Sequence, residues 1–375
     1  MTSPRVAVIV IQRERFSLTE LSLRSILAER ETYPFDLIYV DGNSPLHIQQ
    51  YLKAQAERHD FFTLIRRERY LRANESRNLA LPLASSADYD YVLFVDNDVV
   101  VEQGWLAPLV ECAEAEGAAI VAPLTLQGNP ASPEIEIHVV SVKTKFHPRK
   151  GNKRWFQQKQ LMYATKLREV AEPFARTQVE SVEFHCMLAR RSFLDEAVLD
   201  PIFDSLASHT DLCLQAEAKG ETVFLEPRSR VAFMVPTLVP HFEPTDLPFY
   251  RFKWSEPSIR AIFKRFGKKW NIAADDPSFW SIWSWVIRNR QLPAKWATAE
   301  GSFSRQVLEA VKSRWCPGWL RDAAERLVLR FKFPATGLVS DVDLQMPVPR
   351  DLPFRPEPTV QGATQDSTEK QPLLV

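Results

Sequence analysis

The stretch from Tyr89 to Val101, YDYVLFVDNDVVV, restricts what this chain can fold into more than any other. Its run Tyr91-Val92-Leu93-Phe94-Val95 holds no charged residue, as expected of a strand covered on both faces of a mostly parallel sheet. The run breaks into Asp96-Asn97-Asp98 before Val99-Val100-Val101 resumes it. Carboxylates at alternate positions of a strand's end can converge on one hard cation. Oxygen donors suit Mg²⁺ or Mn²⁺, and such ions keep positions open for substrate phosphates. The plainer reading of an Asp-x-Asp is a polar turn between strands, and these residues alone leave both readings open.

The chain before this stretch supplies the sheet that the strand needs. Val6 to Ile11 is a continuous, mostly β-branched run and is the predicted first strand. Leu18, Leu21, Leu23, Ile26 and Leu27 then recur roughly at helical spacing, with Ser17 or Thr19 available as N-cap. A second strand, Asp36 to Val40, runs into Asp41-Gly42-Asn43-Ser44-Pro45. Strand, helix, strand, with polar loops at the strands' carboxyl ends, is how open α/β sheets build ligand sites. A helix over His47 to Asp60, a short strand over Thr63 to Ile65 and a helix over Asn74 to Leu81 lead on to the central strand. No GxGxxG and no GxxxxGK[ST] occurs, so neither a dinucleotide fingerprint nor a P-loop serves this sheet.

At 375 residues, 45% hydrophobic and 25% charged, the chain can bury one large domain with an appendage, or two domains. Lys+Arg and Asp+Glu balance at 47 each, which argues against nucleic acid as a partner. Cys112, Cys186, Cys213 and Cys316 form no CxxC pair, so free thiols in a reducing compartment are expected. The start lacks the charged and apolar regions of a leader, and no apolar run approaches the ~18 residues of a membrane span, so the expected location is cytoplasmic.

Taken in order, Val6 to Ile11, Tyr39-Val40-Asp41-Gly42-Asn43-Ser44, Ser76-Arg77-Asn78 and Leu93-Phe94-Val95-Asp96-Asn97-Asp98 resemble the series found in family 2 glycosyltransferases of the GT-A fold. The resemblance implies an α/β fold with a mostly parallel central sheet and a nucleoside-diphosphate sugar as donor. It implies that Asp41 hydrogen-bonds the nucleobase, that Arg77 lies near the base or diphosphate, and that Asp96 faces the ribose. Asp98 would bind the divalent metal, Mn²⁺ or Mg²⁺, that bridges the diphosphate. Trp105 to Glu116 (helix) and Ala119 to Ala122 (strand) continue the pattern.

Further on, Val182 to Phe193 resembles the family's acceptor-side strand and basic turn, and Phe203-Asp204 the Phe-Asp that follows. Where family members commonly carry Glu-Asp-x-Asp-Leu, with the first Asp as base, this chain has Ser208-His209-Thr210-Asp211-Leu212. A histidine near pKa ~6.5 is a competent base at neutral pH, so His209 can take that role with Asp211 orienting or assisting; alternatively it only starts the next helix. Phe233 stands where many relatives carry a metal-binding histidine, and His241, in the next loop, is the substitute considered.

Ile137 to Arg168 contains no Asp or Glu but nine Lys and Arg, interleaved with Phe146, Trp155, Phe156 and Tyr163. It reads either as a solvated face or as a mobile acceptor-side loop that attracts an anionic or lipid-linked acceptor. The basic, aromatic stretch Phe249 to Trp270 and the runs Phe279 to Arg288 and Ser304 to Lys332 read as amphipathic helices. They either pack on the sheet domain or give peripheral contact with a membrane. The expected organisation is a GT-A-like catalytic domain over about residues 4–245, a helical segment over about 246–345 and a disordered tail over 346–375. The expected activity is inverting, metal-dependent transfer of a sugar to an acceptor hydroxyl. The departures at Ser208, His209 and Phe233 motivate a catalytically silent binding protein as the alternative, with a nucleotidyltransferase behind it.

Overall fold

A computed structural model describes residues 3–86, 88–204, 206–240 and 242–332. His241 and the 346–375 tail therefore lie outside the described residues. The strands are β1 (Val6–Ile11), β2 (Asp36–Gly42), β3 (Phe62–Arg67), β4 (Tyr91–Asp96), β5 (Val99–Val101), β6 (Ile120–Gln127), β7 (Glu136–Val139), β8 (Ser141–Pro148), β9 (Arg154–Leu161), β10 (Thr165–Lys166), β11 (Thr177–Val179), β12 (Cys186–Arg190) and β13 (Val223–Phe233). The main path of the large sheet runs β10-β7-β6-β12-β4-β1-β2-β3. Its core, β4-β1-β2-β3, is parallel, while β12 lies antiparallel between β4 and β6. The architecture is thus the mixed α/β one that the resemblance implied, with a helical C-terminal region.

The apolar runs are buried on both sides because each face of the sheet has its own cover. Val6, Val8 and Val10 join Leu93 and Val95 in one core cluster, whereas Ala7, Ile9 and Ile11 join Val92 and Phe94 in the other. This period-two division is what makes an unbroken β-branched sequence favourable, since each buried Val or Ile stabilises by about 1.5–3 kcal/mol. The helices α1 (Thr19–Ala28), α2 (Leu46–Arg58), α3 (Ala73–Ser86) and α4 (Leu106–Glu116) link and cover these strands. Alternation also places Asp96 on the face of Phe94, beneath α3.

The C-terminal helices are built into the catalytic core. After α5 (Arg191–Leu194) and α6 (Ser208–Ala218) come α7 (Leu247–Lys253), α8 (Glu256–Lys269), α9 (Pro277–Arg290), α10 (Leu292–Trp296), α11 (Phe303–Ala310) and α12 (Gly318–Lys332). Phe249 and Phe252 of α7 belong to the same cluster as β1, and Phe249 stacks on Phe16. Phe203 and Leu214 share a second cluster with Ile262, Phe266 and Trp283. Arg251 and Arg290 are buried with Asp322 and Glu325, which ties α7, α9 and α12 together. Among the described residues no helix is long and apolar enough to cross a membrane.

The basic run Ile137 to Arg168 is not the loop considered from sequence. β8 and β9 form an antiparallel hairpin, register Ser141 to Leu161 through Pro148 to Arg154. Arg149 lies over Trp155 and Arg154 over Phe146, and Phe156 packs against Phe266 of α8. The interleaved aromatic residues thus provide packing and cation–π partners that give an otherwise repulsive stretch a fixed form.

Candidate active site

The carboxyl ends of β1, β2 and β4 and the start of β12 meet at one edge of the sheet. Asp96 ends β4 and is held from several sides: Arg13 Nη1 donates to Oδ2 at 2.8 Å, Arg77 Nη2 to Oδ1 at 3.4 Å, and His185 Nδ1 stands 3.5 Å from Oδ2. Burial opposes its charge, but Arg13, His185 and Arg77 hold its carboxyl down at about 2. Asn97 accepts from the Arg13 backbone N–H at 2.9 Å and donates to Arg15 O at 2.9 Å and Thr19 Oγ1 at 3.0 Å. The middle residue of the motif therefore fastens the segment after β1 to the end of β4.

Asp98 is different. It is fully buried, yet neither carboxylate oxygen has a hydrogen-bond partner among the described residues. Burial pushes its pKa up to about 7, with Glu14 and Asp96 adding to the rise against the pull of Arg13. An orphaned buried carboxylate costs folding energy and is rare without a function. A divalent cation supplies the partner that both oxygens lack, so the donor set fits the expected metal. One ligand atom each of Asp96, Asp98 and His185 lies within 4.8 Å of the others. The Asp98 carbonyl accepts from Met234 N at 2.9 Å, fixing the motif to the segment after β13.

Asp41 ends its strand one position before Gly42 and is committed to protein donors. It accepts from Gln12 Nε2 at 2.6 Å, Ser44 N at 3.0 Å and Ser44 Oγ at 2.9 Å, and is paired with Arg66. Arg77 is buried against the Phe184 ring at 3.7 Å, and burial lowers its pKa to about 10. Its guanidinium supports Asp96 from beneath. The sheet thus gathers Asp41, Arg77, Asp96 and Asp98 at one edge.

His209 and Asp211 both sit in the first turn of α6, but side chains two residues apart on a helix diverge by about 200°. His209 is half-buried, and burial lowers its pKa to about 4, with the charge of Glu183 opposing. Its imidazole is neutral at pH 7. Asp211 reaches the C-terminal helices instead: Lys269 Nζ stands 2.8 Å from Oδ1, Trp270 Nε1 donates to Oδ1 at 2.9 Å, and Gln215 Nε2 donates to Oδ2 at 2.9 Å. Burial raises its pKa to about 6. These contacts fasten α6 to α8.

Sequence reasoning did not single out the group beside this edge, His138 of β7 with Glu183 and His185 just before β12. Because Cys186 pairs with Val95, the preceding His185 falls against Asp96. Phe233 stacks on His185 with ring centroids 4.0 Å apart and meets His138 edge-on at 5.4 Å. The Glu-x-His spacing, which puts both side chains on one face of an extended segment, was the available signal. His138 gives no local signal at all.

Fold and edge together define an α/β protein with a group of buried carboxylates at the carboxyl edge of its sheet. The sequence profile of glycosyl transferase family 2 matches residues 7–197, and the chain belongs to that family. No curated protein matches the chain significantly. Among solved structures, the crystal structure of GalNAc-T7 with UDP, GalNAc and Mn²⁺ is similar at 14% identity and a TM-score of 0.49, over 74% of this chain and 56% of that one. This chain therefore spans little more than half the length of that relative.

Proposed function

We propose that this chain transfers a sugar, with inversion, from a nucleoside-diphosphate sugar to an acceptor hydroxyl. The observation that carries the reading is Asp98, a buried carboxylate without a partner at the carboxyl edge of a family 2 sheet. Asp98 would hold Mn²⁺ or Mg²⁺, and Asp96, fixed by Arg13 and Arg77, would face the ribose. Asp41 and its loop would line the nucleobase side. When bound, the cation stabilises the charge that develops on the departing diphosphate. The acceptor oxygen bonds to the anomeric carbon as the bond to the diphosphate oxygen breaks, and an unprotonated ring nitrogen of His209 takes the acceptor's proton. The lowered pKa of His209 keeps the ring in the neutral form that can accept a proton, but makes it a weaker base than the value near 6.5 expected from sequence.

The acceptor side supports an anionic, partly apolar acceptor. Between the hairpin turn and α8–α9 lies a cavity of about 420 Å³ with Lys153, Lys264 and Lys268 around Phe263, Phe279 and Trp280. Phe303, Trp315 and Trp319 are exposed further along, which supports peripheral membrane contact. Incubation with a panel of sugar nucleotides and Mn²⁺ tests the proposal. Metal-dependent release of nucleoside diphosphate supports transfer, release of pyrophosphate favours a nucleotidyltransferase, and binding without release favours a silent binding protein.

A further inference from the structure

Three ligand atoms beside the donor edge are arranged as one face of a small polyhedron. His138 Nε2 stands 2.9 Å from Glu183 Oε2, His185 Nε2 stands 3.1 Å from the same oxygen, and the two imidazole nitrogens are 3.1 Å apart. Three ligands about 2.0–2.1 Å from a tetrahedral Zn²⁺ lie about 3.3–3.4 Å apart, so this triangle needs to open by only roughly 0.3 Å.

Outer contacts orient the three ligand groups toward its centre. Gln127 Nε2 donates to Glu136 Oε2 at 2.8 Å, which leaves its oxygen facing His138 Nδ1 at 2.8 Å. His138 Nδ1 thus faces an acceptor, which orients the ring with Nε2 toward Glu183 and His185. Asp96 Oδ2 lies 3.5 Å from His185 Nδ1, on the side of the ring away from Glu183. Glu183 is oriented by Gln160 Nε2, which donates to its other oxygen, Oε1, at 2.6 Å. Two imidazole nitrogens and a carboxylate oxygen in mutual contact form the donor set of a cation site. A ligating histidine whose other nitrogen is held by an amide or carboxylate oxygen is the usual outer arrangement of a metal site.

We propose that His138, Glu183 and His185 bind a first-row transition ion of the Zn²⁺ class at a site distinct from Asp98. His185 presents Nε2 to this ion and Nδ1 to Asp96, so filling this site leaves Asp96 and Asp98 as the ligands of the other. Phe233, stacked on His185, covers one side with an apolar ring. Three protein ligands leave a fourth position for water or a substrate oxygen, the pattern of a reactive rather than a closed site.

The test uses the full chain stripped with EDTA and titrated with Zn²⁺ alone by calorimetry, and with Co²⁺ followed by its visible d–d absorption. Wild type and Asp98→Asn should each show one equivalent of Co²⁺ with the intense bands of a four-coordinate ion. Any second equivalent in wild type, at Asp98, should add only the weak bands of an octahedral ion. His138→Gln and Glu183→Gln should lose those bands while keeping the wild-type circular dichroism. Gln127→Met, which removes only the outer contact, should weaken binding about 10–100-fold. Wild type without the bands would overturn the proposal and leave the group a hydrogen-bonded network, a result that needs no variant to fold. Bands that survive His138→Gln and Glu183→Gln, or vanish in Asp98→Asn, would overturn it equally.

Discussion

Replacing Asp98 by Asn should stabilise the metal-free protein, although it removes a residue on which the proposed activity depends. Burial raises the Asp98 pKa from 3.8 to about 7, so ionising it costs more in the folded than in the unfolded chain. Between about pH 4 and 7 the folded state holds a proton that the unfolded state has released, and wild-type stability falls as pH rises through that window. Above it the full cost is present: about three pH units at about 1.4 kcal/mol each, or ~4 kcal/mol at most. The protonated carboxyl is as unpaired as the amide that replaces it, so the net gain is at most ~4 kcal/mol at pH ~8 and little or none at pH ~4. Urea unfolding of both proteins in EDTA at about pH 8, 6 and 4 measures it. An Asp98→Asn variant less stable than wild type at pH ~8, or a difference that does not shrink with falling pH, would refute the picture of a buried, unpaired charge.

His209→Ala should lower kcat roughly 10²–10⁴-fold with donor affinity little changed, and the limb of the wild-type kcat/KM profile that the variant loses should lie near pH 4, the His209 pKa in the free protein, and not near 6.5. Steady-state kinetics against pH check both. Asp211→Ala removes the carboxylate that Lys269, Trp270 and Gln215 share and should cost about 1–3 kcal/mol of stability by denaturant unfolding, an effect on α6–α8 packing that turnover at low temperature would show less. Charge reversal at the exposed Lys150 and Lys153 together should raise acceptor KM and leave donor KM unchanged, whereas the opposite split would move the hairpin to the donor side.

The sheet was legible because its strands are covered on both faces, and such burial leaves unbroken runs such as Val6 to Ile11 and Tyr91 to Val95 that few other structures tolerate. The positions of Asp41, Asp96 and Asp98 followed, since a strand's end fixes where its next polar residue falls. Partners from distant segments were not legible. Nothing near Asp211 in sequence announces Lys269 and Trp270, and nothing near His138 announces Glu183 and His185. The hairpin was hidden by its charge, because the stacking of Arg149 on Trp155 and Arg154 on Phe146 appears only once β8 and β9 are paired. The helical segment read as an appendage because its amphipathic periodicity marks a buried stripe without saying what buries it; the aromatic residues of α7 share the core of β1.

The central claim is that Asp98 carries the metal through which the donor diphosphate is held. Calorimetric titration of nucleoside diphosphates into wild type and Asp98→Asn, each with Mn²⁺ and with EDTA, tests it most directly. The account predicts that at least one nucleoside diphosphate binds wild type far more tightly with Mn²⁺ than without, and that Asp98→Asn loses this difference while remaining folded. Equal affinity and equal Mn²⁺ dependence in the two proteins would contradict it.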